Sequence, residues 1–111
     1  MEISRRQHGA VTIIKPDGPL VTEDAERFAT EAVEAAGESM GRLVVDASSV
    51  SYLDSAGLEG LLSLSETLEG AGRSLNICGA QETVREAMEL TGVAKRCEFF
   101  DDPGSAARSF L

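Results

Sequence analysis

Short aliphatic runs alternate along this chain with longer stretches in which apolar residues recur every three or four positions. Ala10-Val11-Thr12-Ile13-Ile14-Lys15 alternates and is separated by Gly9 from Ile3–His8, so the two segments predict a hairpin. Ala25, Phe28, Ala29, Ala32, Val33 and Ala36 form one continuous helical stripe, with Thr22 as the expected cap and Gly37 as the expected end. Arg42–Asp46 is apolar without alternation, as in a strand covered on both faces. A second helix is expected from Ser55 to about Glu69, with Leu58, Leu61, Leu62 and Leu68 on one side and Gly70-Ala71-Gly72 stopping it. Ser74–Cys78 reads as another inner strand. Gln81–Thr91 reads as a helix with Val84, Ala87 and Met88 inward, ended by Gly92. Cys97–Phe100 is expected as a short edge strand, Asp101–Gly104 as a turn, and Ser105–Phe110 as a last helical turn or two.

The resulting order is β-β-α-β-α-β-α-β-α. Strands that alternate with helices predict an α/β domain with a mostly parallel sheet of about five strands, four helices and an antiparallel strand from the opening hairpin. A chain of 111 residues can bury one real core and has little room for a second. One domain over 1–111 is expected, without linkers or repeats.

Composition narrows the function classes. The 42% hydrophobic and 26% charged residues are those of a globular chain, and the net charge of −9 speaks against binding nucleic acid or anionic membrane surfaces. No apolar run approaches the roughly 20 residues of a membrane span. The opening residues lack the apolar centre of a signal peptide, and Cys78 and Cys97 are expected as reduced thiols on buried strands, so a cytoplasmic location is expected. The cysteines have no further ligands at metal-binding spacing, so no metal or cofactor is expected.

Enzymatic motifs are missing too. There is no phosphate-binding G-x-x-x-x-G-K-[ST] loop and no G-x-G-x-x-G after the first strand. His8 is the only histidine and lies in a polar stretch next to Gly9, a poor position for a general base. Catalytic residues are not expected.

The candidate chemistry sits at Tyr52-Leu53-Asp54-Ser55-Ala56-Gly57-Leu58. Asp54 is a good helix cap, which places Ser55 on the first turn with its hydroxyl outward, among backbone N–H groups without intrahelical partners. An exposed serine there, without a base, suits a phosphate switch or a partner contact. It is also compatible with a plain helix start. Tyr52 and Leu53 are expected as core or rim residues.

Val44-Val45-Asp46-x-x-x-Val50-x-Tyr52-Leu53-Asp54-Ser55-Ala56-Gly57-Leu58 resembles the signature of the STAS domain found in bacterial anti-sigma factor antagonists. Gly18, the Gly70-Ala71-Gly72 turn before Leu75, and Leu90-Thr91-Gly92-Val93 followed by Phe99 extend the resemblance from about Val11 to Phe110. The resemblance implies partner switching in the control of transcription. Ser55 would be the phosphoacceptor of an anti-sigma factor that is itself a serine kinase. The unphosphorylated protein would bind that kinase, and a serine phosphatase would reset the switch. The partner surface would comprise Asp54, Ser55, Ala56, Gly57, Leu58 and Glu59, with Thr22 and Glu23 beside it. The chain would act as a monomer or weak dimer. The alternative of a different class is a constitutive STAS subunit of a transporter-associated or signalling complex, in which Ser55 is never modified.

Three positions depart from the pattern. Val21 stands where phosphoregulated members carry an acid, although Glu23 and Asp24 follow closely. Ala56 replaces a second hydroxyl, leaving one acceptor, and Glu59 replaces a frequent glycine. A phosphate on Ser55 would gain about 0.3–1 kcal/mol from the helix end. Repulsion from Asp54 and Glu59 roughly offsets this gain. The modification is therefore expected to block a docked partner by charge and bulk, without refolding the domain.

Overall fold

The opening hairpin forms around Gly9, whose positive φ of 65° makes the tight reversal. In this computed structural model, which describes residues 1–111, β1 (Glu2–His8) pairs antiparallel with β2 (Val11–Asp17) along their whole length. The chain then alternates through α1 (Thr22–Glu38), β3 (Leu43–Asp46), α2 (Ser55–Gly70), β4 (Leu75–Cys78) and α3 (Glu82–Leu90). A 3₁₀ turn at Val93–Arg96, not foreseen in the sequence, leads to β5 (Cys97–Phe100) and α4 (Pro103–Arg108).

The sheet order is β1-β2-β3-β4-β5, with β2 through β5 mutually parallel. The strands follow chain order, so successive right-handed crossovers stack α1, α2 and α3 on the same face. Ile14, Val45 and Ile77 meet Phe28, Leu64, Leu68 and Met88 there in the main core. The opposite face is covered only in part. Ala106 and Ala107 of α4 pack on Val11, Ile13, Val44 and Cys78. This is the expected architecture.

Several local expectations are corrected. Thr22 does not cap α1; it is the first helical residue, and Val21 stands at the cap position without a side-chain bond. Gly37 does not end α1 either, because the helix continues to Glu38 and closes through a Gly41 N–H bond to the Ala36 carbonyl, with Gly41 at φ 82°. Ala35 is buried in place of Val33, which is 37% exposed, because the buried stripe turns as the helix runs across the sheet. Likewise Leu64 and Ser65, not Leu58 and Leu62, share the fully buried face of α2 with Leu61 and Leu68. Pro103 and Gly104 belong to α4, since the Asp102 carboxylate caps that helix through the Ser105 N–H at 2.8 Å. Cys97 is only half-buried, on the edge strand.

Candidate functional site

Strand β3 ends at Asp46, whose carboxylate turns back to accept the Ser48 N–H at 3.0 Å and starts the loop toward α2. Two side chains near the start of α3 hold that loop. Gln81 donates to the Ser48 carbonyl and Thr83 to the Ser51 carbonyl, each at 3.2 Å. Leu20 and Leu53 then pair as a short parallel bridge, with the Leu20 N–H donating to the Tyr52 carbonyl and the Asp54 N–H donating to the Leu20 carbonyl. The entry to α2 is thereby fixed against the entry to α1.

Asp54 joins the two helices. One carboxylate oxygen accepts the Gly57 N–H within its own helix, and the other accepts the Thr22 N–H of α1, both at 3.0 Å. The Gly57 N–H bond is the main cause holding the Asp54 carboxyl below the usual carboxylate range. Partial burial opposes the shift, while the Thr22 and Ala56 N–H groups reinforce it. Thr22 is held at φ 47°, a left-handed conformation unusual for a β-branched residue.

This cap leaves Ser55 exposed on the first turn of α2, as the Asp-Ser pattern implies. Glu59 lies one turn further along and is exposed; Glu23 is exposed in the first turn of α1, and Ala56 and Leu58 are half-buried. Thr22 itself is exposed at the junction. Gly57, expected within the partner surface, is instead buried: a Cβ there would lie 2.4 Å from the Leu20 carbonyl oxygen and 2.9 Å from the Leu53 Cβ. Its job is to let the two helix entries touch. Tyr52, expected in the core or at the rim, is 56% exposed three residues before Ser55, because the Leu20–Leu53 bridge turns the neighbouring side chain outward. Leu20 was the missed residue. The only signal for it was a lone aliphatic side chain between Pro19 and the first helix.

His8 pairs with Val11 at the start of β2, at the opposite end of the sheet from the strand end that leads to Ser55. His8 therefore does not accompany the serine. No three His, Cys, Asp or Glu side chains are grouped to hold a metal ion, and no helix is long and apolar enough to cross a membrane.

The STAS domain family model matches residues 2–106. No curated protein sequence matches significantly. Among solved structures, a Thermotoga maritima protein assigned as an anti-sigma factor antagonist superposes with a TM-score of 0.85 at 17% identity, over 96% of this chain and 92% of that one. The anti-sigma factor antagonist SpoIIAA in its unphosphorylated form gives 0.77 at 16% identity, over 98% and 96%. Its phosphorylated form, from Bacillus, gives 0.72 at 15% identity, over 97% and 99%. The murine anion transporter Slc26a9 gives 0.76 at 24% identity, over 95% of this chain but 18% of the transporter. At these identities the likenesses establish the fold.

Proposed function

The chain belongs to the STAS domain family, and we propose that it is an anti-sigma factor antagonist working by partner switching across its whole length. The observation that carries this reading is Ser55, exposed on the first turn of a helix whose cap is already filled by Asp54. Its hydroxyl is free to react without undoing the helix start. SpoIIAA, a protein of the same fold, occurs in phosphorylated and unphosphorylated forms.

In this mechanism the unphosphorylated chain docks on an anti-sigma factor serine kinase through the α1–α2 entry, with Ser55, Thr22, Glu23 and Glu59 outermost. The kinase moves a phosphoryl group from ATP to the Ser55 oxygen, releasing ADP and the hydroxyl proton. The added charge of about −1.5 to −2 sits between Asp54 and Glu59, and the docked surface is lost. A serine phosphatase restores the hydroxyl, and the cycle runs in the cytoplasm. A second reading is favoured by the likeness to the Slc26a9 region: a constitutive subunit that uses the same helix entries as a permanent contact. Incubating the chain with the serine kinases of its source and ATP, then mapping phosphate by mass spectrometry, separates the two. Phosphate on Ser55 alone supports switching; an unmodified chain that stays bound supports the constitutive subunit.

A further inference from the structure

Leu58 and Leu62 of α2 are only half-buried, and Leu90 of α3 is 82% exposed. The reason lies in how α2 is packed. One side of it meets α1, where a Cβ at Gly60 would lie 3.2 Å from the Ala29 Cβ. On its other side the 3₁₀ turn at Val93–Arg96 packs against both α2 and α3 and holds the two helices apart. A groove of about 650 Å³ results, lined by Leu62, Glu69, Thr91, Val93, Lys95 and Arg96. Leu58 precedes Leu62 by one turn on the same side of α2. Across the groove, Thr83, Ala87 and Leu90 share one side of α3 at i, i+4 and i+7. Thr83 donates to the Ser51 carbonyl in the loop entering α2, so this side is turned toward α2.

The charges around the groove are unequal in sign. Glu59 and Glu66 follow the outer row of α2, and Glu82, Glu86 and Glu89 the outer row of α3. All five are exposed and none is ion-paired. Glu69 is paired with Arg96 at 2.9 Å, Arg85 is stacked on Phe99, and Lys95 is the one free cation in the lining. On α1, by contrast, Glu31, Glu34 and Glu38 each face an arginine.

We propose that this groove docks a cationic amphipathic helix of a partner protein. Its apolar stripe covers Leu58, Leu62 and Leu90, and its Lys or Arg residues meet the acidic rows on either side. Both walls are helices whose backbone groups are already paired, so an added strand would find no backbone partner, whereas a third helix can seat its side-chain ridges between theirs. A second copy of this chain cannot supply the occupant: α1, α2 and α3 each carry more acids than cations, and α4 has only six residues. The acidic rows equally repel anionic lipid and nucleic acid. Ser55 stands one turn before Leu58, and a phosphate there would add to the acidic charge. This occupant is therefore distinct from the partner that the phosphate expels, and the site does not rest on the switching mechanism.

The test is a titration of the ¹⁵N-labelled protein with a peptide of about 14 residues, Leu and Lys at helical spacing, too short to be stably helical alone. The same peptide with Glu in place of Lys, and a Ser-Lys peptide without the apolar stripe, are the comparison probes. The expected result is saturable binding of the Leu-Lys peptide alone, with amide shifts on α2, α3 and the 3₁₀ turn, and a gain of peptide helicity by circular dichroism. A folded Glu66→Lys/Glu86→Lys variant should bind at least tenfold more weakly. Glu26→Lys/Glu98→Lys, which changes the net charge equally on other elements, should bind like wild type. Shifts scattered over the surface, equal binding by Glu66→Lys/Glu86→Lys, or equal binding of the Ser-Lys peptide would each overturn the proposal. If Glu66→Lys/Glu86→Lys fails to fold, Leu90→Ser, at an exposed position, serves the same comparison.

Discussion

Asp54 accepts the Thr22 N–H at 3.0 Å and so ties the first turn of α1 to the cap of α2. One carboxylate thereby orders both helix entries around Ser55. The Asp54→Ala variant loses both bonds and should melt several degrees below wild type by circular dichroism. Asp54→Asn keeps one acceptor oxygen and should fall between them.

The same carboxylate sets a pH dependence. Its folded pKa lies below its ordinary value, so its stabilisation is fully present above the ordinary carboxylate range and is lost as pH falls through the depressed folded value. Asp102 is depressed in the same direction, chiefly by the Ser105 N–H, and adds to the effect. Urea midpoints measured from pH 7 down to about pH 3, across the ordinary Asp value, should decline for wild type. They should decline less for Asp54→Asn, with Asp102 supplying the remainder.

Gly57 is the tightest steric point of the site. Substituting Val places side-chain carbon against the Leu20 carbonyl and should cost about 1–3 kcal/mol in urea denaturation. Leu58→Ala, on the half-buried side of the same turn, should cost less.

The core prediction separates two helix positions that look alike in sequence. Leu64 is fully buried in the main core, so Leu64→Ala should cost about 2–5 kcal/mol. Val33 is partly exposed, and Val33→Ala should lie within about 0.5 kcal/mol of wild type.

The element order, the hairpin and the Asp54 cap were legible because each rests on a local rule: alternation across Gly9, an apolar run ending at Asp46, and a carboxylate three residues before Gly57. Long-range relationships were not. Thr22 has a good capping side chain, but the Asp54 carboxylate arrives from another helix to take its N–H. Gly57 was expected on the partner surface, and only the approach of Leu20 explains why it must be glycine. Tyr52 seemed apolar enough to be buried, yet the neighbouring Leu53 takes the inward position.

The central claim is that charge on Ser55 decides whether the partner stays bound. The measurement is the affinity of wild type, Ser55→Ala and Ser55→Asp for the cognate anti-sigma factor kinase by isothermal titration calorimetry, after equal melting temperatures confirm three folded proteins. The account predicts tight binding by wild type and Ser55→Ala, and a loss of roughly a hundredfold or more with Ser55→Asp, about 2.7 kcal/mol. Equal affinity for all three would contradict it and leave Ser55 as part of a permanent contact.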